Sequence, residues 1–253
     1  MKKLFDLLEE FKGRIIDVHS HIGSDQSLML EGSIEIVIET MNRYGIRKSF
    51  ISGVHSLLAD FREGNRQVAK AVKEYPTRFC GLVAVNPYYE DEAIEELRKY
   101  ILKLGFKGVK LHPFYFKISM VDELTIRIIE EVIKLKIPAM IHSYDGGIEV
   151  SQLADMFPDL TIVMYHMGGV KWREGIERVK SYDNVYAEIS SSVHDRGMIE
   201  YAVEKLGDDR ILFGIDMPYL DPAISLGKVL GARISKYSKE AILCQNAMKL
   251  LKM

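Results

Sequence analysis

Short apolar, β-branched runs alternate with stretches of helical periodicity along almost the whole chain. A strand buries alternate side chains or reads as a continuous apolar run, whereas an amphipathic helix repeats its apolar positions every three to four residues. On these criteria strands are predicted over 14–21, 46–52, 79–85, 106–112, 137–142, 160–166, 184–189 and 210–216. Helices are predicted over 33–44, 60–75, 91–104, 121–136, 148–157, 170–181, 195–206 and 222–235, with a last one over 239–251. The punctuation agrees. Gly45, Gly105 and Gly207 fall just past helix ends, where a left-handed cap is needed. Ser33, Asp122 and Asp195 suit helix starts, and Pro76 and Pro158 stop helices. Near the N-terminus Leu4, Leu7, Leu8 and Phe11 share one helical face, while Asp6, Glu9 and Glu10 interrupt any signal-peptide core. A short amphipathic helix is the expectation there.

Eight β/α units in 253 residues, with strands beginning roughly 23 to 33 residues apart, predict an α/β fold: a (β/α)8 TIM barrel forming one domain over 1–253. A doubly wound open sheet is the runner-up. The count of eight and the lack of a Gly-rich phosphate loop after the first strand weigh against it, because Gly81 and Gly108 lie inside strand patterns. No linker or low-complexity tract divides the chain.

The polar residues that break this pattern sit at strand ends. His19 and His21, in Asp17-Val18-His19-Ser20-His21, are two apart and so share a face of the first strand. His142, His166 and Asp216 end the fifth, sixth and eighth predicted strands, and Lys110 and His112 close the fourth. In a barrel these ends meet on one face, where barrel enzymes carry their active sites. Three imidazoles and a carboxylate suit a divalent metal, zinc first, with manganese, iron or cobalt open.

Composition narrows the partners. A formal charge of −2 without a basic stripe gives no footprint for nucleic acid, and no apolar run approaches a membrane span. Cys80 and Cys244 lie far apart inside apolar segments, which predicts free buried thiols and a cytoplasmic setting. A small-molecule substrate is expected, and homo-oligomerisation stays open.

The chain resembles the amidohydrolase superfamily, in the branch of metal-dependent TIM-barrel hydrolases that also contains aminocarboxymuconate semialdehyde decarboxylase. The matching pieces are Asp17 to His21, Gly105-Phe106-Lys107-Gly108-Val109-Lys110-Leu111-His112-Pro113, Ile141-His142, His166-Met167-Gly168-Gly169 and Leu212-Phe213-Gly214-Ile215-Asp216-Met217-Pro218. The resemblance implies that His19, His21, His142 and Asp216 bind one catalytic metal. It makes His166 a catalytic neighbour, or a ligand if a second metal binds. Lys110, carboxylated, would be the bridge in a two-metal site; His112 competes for that space, so one metal is favoured.

From these parts the leading expectation is a hydrolase. Metal-activated water attacks an amide, ester or lactone, Asp216 relays the proton, and His166 polarises the electrophile. The alternative is a non-oxidative decarboxylase of a small unsaturated or aromatic acid using the same site. A third reading, a barrel holding metal only for structure, lacks the closed cysteine-rich ligand set typical of such sites. Candidate substrate contacts are His112, Phe114, Trp172, Arg173, His194, Arg196 and Tyr219. An arginine pair near the metal would favour decarboxylation.

Overall fold

A computed structural model describes residues 2–252, with side chains from Asp6 onward. Eight parallel strands form the centre: β1 (Ile15–Ile22), β2 (Ile46–Gly53), β3 (in two pieces, Phe79–Gly81 and Val83–Ala84), β4 (Val109–Leu111), β5 (Ala139–His142), β6 (Ile162–Tyr165), β7 (Val185–Glu188) and β8 (Ile211–Leu212). Each pairs with the next in sequence order. The break in β3 is bridged, since Leu82 N–H donates to Ile51 O and Lys107 N–H to Gly81 O. The sheet then closes on itself. Val18 N–H donates to Phe213 O at 3.0 Å, Asp216 N–H to His19 O at 2.6 Å and His21 N–H to Met217 O at 2.6 Å. The fold is the predicted single-domain (β/α)8 barrel.

Two apolar layers hold it. Ile16, Val18, Phe50, Leu82, Met140, Val163, Tyr165 and Leu212 fill the barrel interior, and Cys244, Ala247 and Leu251 join them from the C-terminal segment. Ile15, Ile51, Phe79, Val109, Ile141, Ile162 and Val185 face the other way and pack on the helices. Strands buried on both faces read as continuous apolar runs, which is why they were visible in the sequence. The N-terminal helix Lys2–Phe11 is present, with Phe11 buried and Leu7 and Leu8 packed on the core. The side chain of Leu4 lies outside the described residues. Both cysteines are free thiols, but only Cys244 is buried as expected; Cys80 is half-buried.

Element ends differ from the prediction in instructive places. Three strands stop before His112, His166 and Asp216 because the chain turns sharply at their ends. The helix predicted over 195–206 is Met198–Leu206, capped by Gly197 rather than Asp195. That over 222–235 ends at Gly231, and 239–251 is three continuous pieces from Lys236 to Leu250 with a π-helical turn in the middle. Two short helices, Val54–Leu58 and Pro113–Phe116, were too brief to show a period.

Candidate functional site

The first two histidines owe their aim to a β-bulge. Between Asp17 and Ser20, β1 carries one residue more than β2 opposite it. Strict alternation from Ile16 and Val18 would turn His19 outward; the extra residue resets the phase. His19 therefore stacks on the interior Tyr165 ring (3.6 Å between centroids), and His21 stands 5.3 Å from it. Asp17, fully buried, pins the bulge. It accepts from His19 N–H and Ile215 N–H, both at 3.0 Å, and from the hydroxyls of Ser20 and Ser49. Burial pushes its carboxyl up to about 7 against those bonds.

His166 and Asp216 reach the same point by a different device. Both hold left-handed backbone, at φ 64 and φ 70. Such conformations cost non-glycine residues of order 1–3 kcal/mol and collect at functional sites. Here they turn each side chain from the end of its strand into the barrel mouth.

The result is a converging donor set. Asp216 Oδ1 lies 3.3 Å from His19 Nε2 and 3.2 Å from His21 Nε2. Donor atoms of His19, His166 and Asp216 all fall within 4.8 Å of one another. The outer ring nitrogens are each occupied elsewhere. His19 Nδ1 meets Glu188 Oε2 at 3.0 Å, His21 Nδ1 meets Ser52 Oγ at 2.8 Å and His166 Nδ1 donates to Ser190 O at 2.9 Å. A carbonyl only accepts, so His166 carries its proton on Nδ1 and its Nε2 keeps a lone pair. Neutral imidazoles tied back through Nδ1, with Nε2 beside a carboxylate, fit one divalent cation. Burial lowers the pKa of His19 and His21 and takes that of His166 to about 4, which keeps the rings neutral. Burial also acts on Asp216, but the His21 hydrogen bond and the nearby His166, His21 and Lys110 outweigh it and hold the carboxyl below its usual value.

His142 stands one hydrogen bond further out, its Nδ1 3.0 Å from His166 Nε2. Its ring is stacked between His112 (3.8 Å) and Tyr144 (5.2 Å), and His112 stacks in turn on Tyr115 (4.0 Å). This four-ring ladder walls a cleft of about 720 Å³, whose lining also includes Phe114, Ile118, His166 and Asp216. Tyr219 shares a smaller recess with His19, His21 and Asp216, and donates to Asp25 Oδ2 at 3.1 Å. Lys110 lies beneath, its Nζ 3.2 Å from His19 Nε2 and 4.1 Å above the Tyr165 ring. Burial brings its ammonium down to about 7.

Of the predicted substrate contacts, His112 and Phe114 line the cleft, Tyr219 lines the recess, and the other four lie elsewhere. Trp172 is buried in its own helix, and its indole N–H donates to Asp195 at 2.8 Å. Arg173 lies over the rings of Trp172 and Tyr201. His194 and Arg196 line a separate cleft between the helices Met198–Leu206 and Pro222–Gly231. None of the four lines the barrel mouth, so the arginine pair is absent from the site. Glu188, Ser190 and Tyr144 were not anticipated. Glu188 carried a signal, an acid inside an otherwise apolar strand; Tyr144 carried none.

The amidohydrolase family model matches residues 16–253. The chain belongs to the amidohydrolase family. It is 23% identical over 233 aligned residues to 2-amino-3-carboxymuconate-6-semialdehyde decarboxylase of Dictyostelium discoideum, a match covering 74% of this chain and 65% of that relative's length. It is 25% identical to a gamma-resorcylate decarboxylase of Polaromonas sp., over 96% of this chain and 90% of the relative. Its fold is similar, with a TM-score of 0.79 and 18% identity, to 5-carboxyvanillate decarboxylase of Novosphingobium aromaticivorans, crystallised with manganese and a nitrobenzoic acid; the match covers 95% of this chain and 97% of that one. These decarboxylases overturn the leading expectation of a hydrolase. The two chemistries share every site residue, so the motifs alone did not separate them. No helix among the described residues is long and apolar enough to cross a membrane.

Proposed function

We propose that this amidohydrolase-family protein is a non-oxidative decarboxylase of a small carboxylic acid built on a planar unsaturated or aromatic ring. The observation that carries this reading is the ladder of stacked rings, Tyr115, His112, His142 and Tyr144, leading down to Asp216. Planar side chains in offset stacks favour a planar ligand between or against them. Among the described residues lining that cleft there is no arginine or lysine, and Lys110 is the cation below it. One carboxylate and an uncharged far end therefore suit the cleft better than two carboxylates.

His19, His21 and Asp216, completed by His142 or His166, are the residues that would hold the metal. When bound, a single zinc or manganese ion supplies a positive anchor for the substrate carboxylate and an adjacent oxygen. Manganese has support in the similar 5-carboxyvanillate decarboxylase, and zinc in the imidazole-rich donors. Lys110 is committed to His19 and Tyr165, which favours one ion over a bridged pair. In this reading the ring lies along His142 and Tyr144. Asp216, after taking a proton, delivers it to the ring carbon that bears the carboxylate. The electron pair of the carbon–carboxylate bond then stays with the ring as carbon dioxide leaves, so one proton replaces one carboxylate.

The test is carbon dioxide release by zinc- or manganese-loaded protein from a panel of hydroxybenzoates and unsaturated acids, monocarboxylates beside dicarboxylates. Release by the wild type and none by Asp216→Asn, with unchanged circular dichroism, is the expected result. No release across the panel from protein shown to contain metal refutes the proposal.

A further inference from the structure

Two of the converging histidines share one support. Glu188, the last residue of β7, is wholly buried, and both of its carboxylate oxygens accept hydrogen bonds. Its Oε2 accepts from His19 Nδ1–H at 3.0 Å, from Ser190 Oγ–H at 2.8 Å and from His166 N–H at 3.3 Å; its Oε1 accepts from Ser190 N–H. The segment also reaches the second ring, since Ser190 O takes the His166 Nδ1 proton. Room for the carboxylate comes from β8's continuation, where a Cβ on Gly214 would lie 2.1 Å from Oε1. Buried carboxylates are costly unless fully hydrogen-bonded, and this one is.

We propose that Glu188 is a positioning residue: together with Ser190 it fixes His19 and His166 in the Nδ1–H tautomer, so that both Nε2 atoms keep the lone pair a divalent cation needs, shared with Lys110 Nζ and His142 Nδ1 until it arrives. The inference rests on the reading that this cluster holds such a cation. The geometry also says why the residue is glutamate. A glutamine in its place would turn an N–H toward Ser190 N–H in one orientation, and toward three donors in the other. Carboxylates that orient metal-binding histidines typically carry about 10- to 100-fold of metal affinity.

The experiment compares the full-length wild type with Glu188→Gln and Ser190→Ala by two readouts. Imidazole ¹⁵N spectra of the metal-free proteins report the tautomers. Calorimetric titration with zinc reports affinity. The expected wild-type spectrum shows both rings as Nδ1–H. In Glu188→Gln the His19 tautomers mix and zinc binding weakens about 10- to 100-fold; in Ser190→Ala, which deletes one hydroxyl, both effects are smaller. Unchanged tautomers and affinity in Glu188→Gln overturn the proposal. If that variant does not fold, the wild-type spectrum decides, and His19 found there as the Nε2–H tautomer overturns the proposal. A wild type that binds no zinc or manganese refutes the metal reading instead, and the metal-free spectra still show whether Glu188 sets the ring.

Discussion

Replacing Gly214 by alanine tests whether the carboxylate support is as tightly fitted as its contacts imply. The added Cβ would stand 2.1 Å from Oε1 and 2.5 Å from Cδ of Glu188, closer than any real contact. Glu188 has no slack, because its carboxylate is held by His19, Ser190 and the His166 backbone. Either the strand or the carboxylate must move. Overpacking in a close-packed interior costs about 1–3 kcal/mol, and each weakened hydrogen bond to a buried charge about 1.5–3 kcal/mol. With one such bond lost, the expected destabilisation is about 3 kcal/mol. For a chain of this size that lowers the melting temperature by about 6–12 °C. Gly227→Ala is the control of opposite sign. It lies in the helix Pro222–Gly231 with nothing within 4 Å of its added Cβ, so the alanine should stabilise by about 0.5–1 kcal/mol. Scanning calorimetry on the metal-free proteins measures both. If Gly214→Ala melts within a degree or so of the wild type, the tight-fit argument is wrong.

Three further outcomes follow from the same geometry. Trp172→Phe should lose about 1–2 kcal/mol in denaturant titration, through the missing bond to Asp195, while leaving KM unchanged. Phe114→Ala should do the reverse, raising KM for a ring-bearing acid several-fold without altering the melting temperature, because Phe114 is 75% exposed on the cleft rim. Burial lowers the Lys228 ammonium from 10.5 to about 8 while it donates to Ile189 O and Ser191 O. The unfolded chain thus holds that proton more tightly, and Lys228 contributes a gain in stability as pH rises from about 8 toward 10.5. Lys228→Met should flatten that part of the stability–pH curve; an unchanged slope would show that the residue does not titrate there.

The barrel was legible because its strands are buried on both faces and its helices on one, so that period and length alone separate them. His19 and His21 were legible as a two-residue repeat, and His166 and Asp216 as polar residues ending apolar runs. What sequence spacing does not carry is direction beyond the strand. Arg173 and Arg196 also lie on segments that follow strand ends, yet one lies over Trp172 and Tyr201 and the other lines a cleft between helices. The bulge in β1 and the left-handed turns at His166 and Asp216 are backbone events with no residue signature of their own. Glu188 was overlooked because an acid in a strand is ordinarily taken to face solvent, whereas this one lies buried among donors. The choice between hydrolysis and decarboxylation was illegible in a stricter sense, since both use the same side chains.

The seam between the first and last strands carries a further consequence, for the order in which the molecule assembles. Ser20 and Met217, which meet across it, are 197 residues apart along the chain. His19 and His21 come from one side of that seam and Asp216 from the other. Every intervening unit can pair with its neighbour in sequence before these ends join, because closing so long a loop carries an entropic cost that local pairing avoids. The donor cluster is therefore a reporter of completed closure. A cation held there would act as a clasp on the ring, favouring the closed molecule in proportion to its concentration over its dissociation constant.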